Sequence, residues 1–252
     1  MPADRPRVAA VVVTHDSERW LPDLLASVEG QTCAPDDRFA VDDHSSDATL
    51  SLLERNGWRV VRSTSSATEV TTRIAQNFAQ GVRAAQDCDV AILGDHDDYW
   101  LPDRVEHQVG VLEEQSDSWI VASDGRIMNE SKTLRDIFPV PADWSSMTRA
   151  KRLRYALRHS IATGGASAVR PRPLLDPANK ATPIPAGWLH DRWWSLAATA
   201  GDGIYLDRHA VIEYRVQDGQ QIGLETGRQD RRIPRVQMSD VTRARDAARL
   251  FR

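Results

Sequence analysis

Val90 to Trp100 reads V-A-I-L-G-D-H-D-D-Y-W, an apolar run with the length of a buried strand followed at once by three carboxylates, Asp95, Asp97 and Asp98. In open α/β sheets ligands collect at the carboxyl ends of parallel strands, so acids clustered there are placed to hold something. Carboxylate oxygens suit hard cations such as Mg2+ or Mn2+, which take phosphate oxygens as further ligands. A metal bridge to a phosphorylated substrate follows. An EF-hand loop would need Gly at its sixth position and Glu at its twelfth, and counted from Asp95 these hold Trp100 and Glu106. A phosphatase-type nucleophilic Asp in a D-x-D-x-T/V setting fails at Asp98. The plainer alternative is an acidic turn in which Asp98 or Asp103 caps the next helix.

Outward from that stretch, the chain alternates. Val8 to Val13 is expected to be a buried strand, Ser17 to Glu29 a helix with Leu21, Leu24, Leu25 and Val28 on one side, and Phe39 to Val41 a second strand. A polar turn, Asp42-Asp43-His44-Ser45-Ser46-Asp47, opens a helix through Leu50, Leu52 and Leu53. Trp58 to Val61 supplies a third strand, Ala67 to Ala85 a long helix, and Val90 to Leu93 the fourth strand. This β-α alternation predicts an α/β fold with a doubly wound, mainly parallel sheet flanked by helices. Beyond Asp103 a helix over Arg104 to Glu114 and a strand over Trp119 to Ser123 are expected, then a polar loop from Met128 to Asp136. Pro139, Pro141, Pro171, Pro173, Pro177, Pro183 and Pro185 then predict loops laid over a site in place of further regular sheet. The division expected is a donor-binding half over 1–103, a less regular acceptor-binding half of the same domain over 104–223, and a basic helical tail over 224–252.

With 252 residues, 41% apolar and 27% charged, and a formal net charge of −4, the chain can bury one large core and carries no global demand for nucleic acid. Cys33 and Cys88 are its only cysteines, too few for a disulfide scaffold or a Cys-rich zinc site, which fits a reducing cytoplasm. The apolar stretch Val8 to Val13 is too short for a secretory signal or a membrane span, so any membrane contact is expected to be peripheral.

Three strand ends carry polar groups: Thr14-His15-Asp16, Asp42-Asp43 and Asp95-x-Asp97. In a doubly wound sheet these line one crevice, long enough for a nucleotide with its base near the first two turns and its diphosphate near a metal. Asp43 can accept the N3–H of uracil or thymine and so select against cytosine. Arg73 is placed to face base or phosphate, or else is a solvated helix position. Neither G-x-x-x-x-G-K-S/T nor G-x-G-x-x-G occurs, which favours a metal over a backbone cradle.

The segments V-V-V-T-H-D (11–16), V-D-D-H-S-S-D (41–47), T-R-I-A-Q-N-F-A-Q-G (72–81) and L-G-D-H-D-D-Y-W-L-P-D-R (93–104) resemble the successive blocks of family 2 glycosyltransferases with the GT-A fold. I-A-T-G-G-A-S-A-V-R (161–170), P-I-P-A-G-W-L-H-D-R-W-W-S-L-A (183–197) and Y-R-V-Q-D-G-Q-Q-I-G (214–223) resemble later blocks of its rhamnosyltransferase-like branch. The resemblance implies a soluble, inverting, metal-dependent enzyme using Mn2+ or Mg2+, with a UDP- or dTDP-linked sugar as donor. It implies a glycan, lipid-linked or other hydroxyl as acceptor, in cell-surface polysaccharide synthesis. Position by position it makes Asp97 the metal-binding acid with Asp95 beside it, and Thr14, Asp16, Asp43, Arg73, Asn77, Asp95 and His96 the donor-binding set. Asp191 matches the catalytic base, and Gly164, Gly165, Trp188, His190 and Trp194 are candidates for the acceptor side.

Trp188, Trp193 and Trp194 are expected either to stack on sugars and raise the pKa of Asp191, or to pack in the core. His190 is an acceptor contact or a hydrogen-bonded support of its loop, and Gly164 and Gly165 make room for acceptor or form a turn. Relatives often carry a His about where Gln217 stands, so Gln217 or His209 is expected to take its part, or metal binding to be weaker. A basic stretch, Arg149, Lys151, Arg152, Arg154 and Arg158, and the tail with Val241, Ala244, Ala248 and Phe251 at helical spacing are amphipathic helices or contacts for anionic lipid at the inner membrane face. Two other functions stay open: a nucleotide-sugar or glycan binding module without turnover, and a sugar-nucleotide nucleotidyltransferase, although Thr14 to Trp20 lacks the glycines the latter needs.

Overall fold

The computed structural model describes residues 5–216 and 240–251. In chain order it comprises β1 (Val8–Thr14), α1 (Leu21–Glu29), β2 (Asp37–Asp42), α2 (Thr49–Arg55), β3 (Arg59–Arg62), α3 (Val70–Ala84), β4 (Val90–Asp95), β5 (Tyr99–Trp100), α4 (Arg104–Glu114), β6 (Ile120–Ile127) and α5 (Leu134–Ile137). There follow α6 (Arg149–Arg158), β7 (Ser167–Val169), α7 (Pro171–Leu175), α8 (His190–Ala200), β8 (Ile204–Tyr214) and α9 (Asp240–Ala247), with short 3-10 turns between and after them. A single eight-stranded sheet runs in the order β3-β2-β1-β4-β7-β6-β8-β5.

β1 is the centre of the first half, parallel to β2 on one side and to β4 on the other, and all seven of its residues are buried. Its side chains alternate between two cores, as the two-residue period of a strand demands. Ala9, Val11 and Val13 meet Phe78 and Val82 of α3, whereas Val8, Ala10 and Val12 meet Leu21, Leu24 and Val28 of α1. The same α1 core continues into Val105, Val109 and Leu112 of α4. The turn from Ser17 to Trp20 precedes α1, because the Ser17 carbonyl already closes bonds to the amides of Trp20 and Leu21 and Pro22 sits in the first helical turn.

The second half corrects the expectation of loops. β7 adds antiparallel to β4, β6 antiparallel to β7, and β8 parallel to β6, so the sheet continues through the region that the prolines punctuate. β6 extends to Ile127, past the expected end at Ser123, and Thr133 opens α5 with a reciprocal capping box to Asp136 where a plain loop was expected. The prolines lie between strands: Pro171 and Pro173 occupy α7, and Pro177 starts a 3-10 turn. Residues 217–239, which include Gln217 and the start of the tail, and Arg252 fall outside the described residues. α9 is a helix whose Asp246 accepts a bond from Trp188 Nε1 at 3.1 Å. No described helix is long and apolar enough to cross a membrane.

Candidate active site

β1 and β2 end side by side, with Thr14 opposite Asp42. Thr14 is fully buried and its hydroxyl donates to Asp42 Oδ1 at 3.1 Å, while Asp42 also accepts from Ser45 Oγ and Arg62 Nη1. Asp42 therefore builds the turn and leaves its neighbour for the crevice. Asp43 accepts the Arg73 Nε–H at 2.6 Å through Oδ2, and its buried Oδ1 has no hydrogen-bond partner. A buried carboxylate oxygen without a donor is costly, so this one is suited to a ligand's N–H. His15 Nδ1 lies 2.6 Å from the Asp43 carbonyl, which fixes that nitrogen as the donor. Two turn residues here, Asp16 and His44, have φ of 42° and 59°, a region L-residues visit rarely and Asp and His more readily than most. Asn77, one helical turn beyond Arg73 on α3, is fully buried, accepts the Ser63 hydroxyl at 2.5 Å and has an unpartnered Nδ2.

Asp16 is bound into the wall of the first two strand ends. Its carboxylate accepts the backbone N–H of Ser46 at 2.7 Å and the Ser46 hydroxyl at 3.2 Å, bonds that hold its pKa below the ordinary value. Through Oδ1 it ties the first strand end to the second and braces the crevice wall.

The acidic segment follows β4 and turns back through β5. Asp98 is buried, accepts the Arg215 backbone N–H at 3.1 Å through Oδ1 and leaves Oδ2 unpartnered; burial, then the charges of Asp97 and Asp95, push its pKa well up. Asp95 is pushed up to about 7 by burial, then by the charges of Asp97 and Asp191. Neither Asp98 nor Asp103 caps α4: Asp103 stands at the cap position without a side-chain cap bond and partners His209 Nε2 at 2.8 Å. Beneath the acids lies Arg104, with no exposed surface, over the Trp100 ring at 4.0 Å and bonded to the Leu93 carbonyl. Its charge lowers the pKa of both Asp95 and Asp98, and burial pulls its own down to about 9.

Among the described residues no three His, Cys, Asp or Glu side chains form a complete metal-binding set. The fit is to a cation that takes one or two protein carboxylates and fills its remaining places from phosphate and water, the usual manner of Mg2+. Asp97, with Asp95, would hold it, and the buried Asp98 Oδ2 beside them has no hydrogen-bond donor.

Asp191 sits in the first turn of α8 and adjoins the acids through the turn at Gly164 and Gly165, whose second glycine packs against Asp95 and Asp98. Its carboxylate accepts the Gly164 N–H at 3.2 Å and the Arg192 N–H at 2.6 Å. Both bonds and the helix terminus favour the charged form, yet burial prevails and lifts the pKa to about 6.

Of the alternatives open for the residues considered on the acceptor side, the structure shows packing for the tryptophans and a turn for the glycines. Trp188 and Trp194 are 3% and 1% exposed and belong to the core beneath α8. Trp188 meets Trp193 edge to face at 5.3 Å and bonds Asp246 of α9, and Trp193 bonds the Lys180 carbonyl. His190 stacks on Phe78 at 3.8 Å and meets Trp194 edge to face, with neither ring nitrogen hydrogen-bonded; burial takes its pKa down to about 3, so it is a neutral packing group. A Cβ on Gly164 would lie 2.2 Å from His190 Nε2, and one on Gly165 would lie 2.6 Å from Asp95 Oδ2 and 2.8 Å from Asp98 Oδ2. Both glycines thus exist for close packing of the 3-10 turn under the site. His209 stacks on His107 at 4.0 Å and bonds Asp103. Arg104 and Arg215 carried no sequence signal, whereas Asp98 stood out as one of the three clustered acids.

A parallel half-sheet with acids at its carboxyl ends, extended by a mixed half that brings a further carboxylate to the same crevice, is the GT-A glycosyltransferase fold. The chain belongs to glycosyl transferase family 2, whose model matches residues 9–175. Among solved structures it is similar to S. aureus TarS 1-349 in complex with UDP-GlcNAc, with a TM-score of 0.64 and 18% identity over 85% of this chain and 60% of that one. It is also similar to glucosyl-3-phosphoglycerate synthase from Mycobacterium tuberculosis in complex with Mn2+, UDP and glucosyl-3-phosphoglycerate, with a TM-score of 0.56 and 17% identity over 83% of this chain and 72% of that one. No curated protein sequence matches it.

Proposed function

We propose that this chain is a metal-dependent inverting glycosyltransferase that moves a sugar from a UDP- or dTDP-linked donor to a hydroxyl of a glycan or lipid-linked acceptor, in polysaccharide assembly. The observation that carries this is the approach of two groups across the Gly164–Gly165 turn: the acids Asp95, Asp97 and Asp98 clustered after β4, and Asp191 with its pKa raised to about 6. Asp191 takes the proton of the acceptor hydroxyl as its oxygen attacks the anomeric carbon. The bond from that carbon to the diphosphate breaks, and its electron pair leaves with the diphosphate. A base with pKa near 6 is ionised at neutral pH and holds a proton more firmly than an ordinary Asp. A Mg2+ or Mn2+ at Asp97 and Asp95 would supply charge neutralisation for the leaving diphosphate. Direct displacement leaves no covalent sugar intermediate and inverts the anomeric configuration.

Asp43, through its unpartnered Oδ1, receives the base N3–H, with Thr14, Arg73, Asn77 and His96 as the rest of the donor pocket. The complexes of TarS with UDP-GlcNAc and of the mycobacterial synthase with Mn2+ and UDP support this choice of donor and ion. The basic face of α6 adds peripheral contact with anionic lipid: Leu153 and Leu157 pack on the core, while Lys151, Arg154 and Arg158 are exposed. Flotation equal on anionic and neutral vesicles would remove that part.

The test is a thermal-shift panel of UDP, dTDP, GDP and CDP, each with Mg2+, Mn2+ or chelator. A ligand at a hundred times its dissociation constant adds about 2.7 kcal/mol to the native state, a readable shift. A metal-dependent shift with UDP or dTDP is expected; no shift with any nucleotide in folded protein would leave a glycan-binding module as the better reading.

A further inference from the structure

Arg215 lies just beyond β8, yet its partners come from two distant parts of the chain. Its backbone N–H donates to Asp98 Oδ1 at 3.1 Å, and its Nε–H donates to the Asp97 carbonyl at 2.9 Å. Nη2 reaches Asp23 of α1 at 2.8 Å, and the guanidinium lies over the Trp20 ring at 4.4 Å. Arg19 also stands over Trp20, at 4.1 Å. The side chain is only 16% exposed, against 59% for Asp23, so its inner bonds are sheltered from solvent and its outer one is not.

We propose that Arg215 is the positioning residue of the acidic segment: by holding the Asp97 main chain and the Asp98 carboxylate against α1, it sets where the Asp97 side chain stands and so how tightly the donor's metal is held. The proposal rests on the glycosyltransferase reading for its metal, but its structural half is independent of that. The segment between β4 and β5 has little order of its own, since β5 is two residues long and pairs only with β8. Three of the four Arg215 contacts use the planar fork of the guanidinium, whose donors are fixed relative to one another. A lysine offers a single point charge, able to serve Asp23 or the Asp97 carbonyl and not both. No proton is moved by Arg215, so its effect is on binding of metal and diphosphate and not on the recognition of the base at Asp43.

The experiment uses the whole chain as wild type, Arg215→Ala and Arg215→Lys, with two readouts. The first is hydrogen exchange of residues 95–100 without nucleotide or metal. In Arg215→Ala it should rise about tenfold or more, the loss expected for charge-assisted bonds, while β1 and β4 keep their protection. The second is titration with UDP and Mn2+. The Mn2+ concentration for half-maximal UDP binding should rise about tenfold, UDP affinity in chelator should stay as in wild type, and Arg215→Lys should recover only part of the difference. Unchanged exchange at 95–100 would overturn the proposal, as would full recovery by lysine. Loss of protection throughout β1 and β4, or an equal fall in UDP affinity with and without Mn2+, would also overturn it by showing general destabilisation. If wild type binds no nucleotide while Arg215→Ala still frees 95–100, the donor reading fails and the positioning role stands.

Discussion

Asp191 shows how opposed local effects are resolved by magnitude. Two backbone N–H donors and a helix N-terminus pull its pKa down, and removal from water pushes it up further, to about 6. Asp191→Asn keeps the shape and deletes the base, so kcat should fall roughly a hundredfold to ten-thousandfold with UDP affinity unchanged. In wild type the rate should decline as pH falls through about 6, since the base is then protonated. A transfer assay across that range checks both, and full activity in the Asn variant would sink the assignment. Gly165 offers a different test, because its environment is made of carboxylate oxygens held from several sides. Gly165→Ala should cost about 1–3 kcal/mol in urea unfolding, as overpacking does, and weaken Mn2+-dependent UDP binding. At this scale the acids were legible as residue types following a strand, whereas the glycines were not: only the approach of His190, Asp95 and Asp98 gives them their reason.

Among the elements, the first half was legible because β1 and β4 are buried on both faces and write apolar runs into the sequence, with the shorter run Phe39–Val41 marking β2. β7 is three residues, Ser-Ala-Val, too short for any period to show. β8 carries Asp207-Arg208-His209 in its middle, and its pairing with β6 has register shifts, so no clean alternation survives. The tryptophans of α8 were not legible, because aromatic residues beside a carboxylate read equally well as sugar platforms and as core. Their burial decides. Trp188→Phe should therefore act on stability, by about 1–3 kcal/mol, since it leaves the buried Asp246 without its indole donor. Urea denaturation checks this, and a variant of normal stability with altered acceptor affinity would restore the sugar-stacking role.

At the scale of the whole molecule the sheet gathers acids from β1, β2, β4 and α8 to one edge, and the concentration of charge needed for a metal and a diphosphate opposes the folded state. The sign follows from the raised values. Asp95 ionises at about 7 in the folded chain against an ordinary 3.8, and Asp191 at about 6 against the same reference. Below about pH 4 both carboxyls are protonated in either state and their contribution is fully present. As pH rises toward 6 and 7 the unfolded chain releases these protons freely while the folded chain resists, so stability is lost over that window and is level above it. A divalent cation in the crevice favours the ionised forms and offsets the loss, so the melting-temperature gain from Mn2+ should be larger at pH 8 than at pH 5. Asp95→Asn removes the more strongly shifted of the two groups, and its melting temperature should fall less than that of wild type between pH 4 and 7. Equal pH dependence in wild type and Asp95→Asn, together with an Mn2+ gain independent of pH, would show that the acids are compensated within the fold and that no cation is called for.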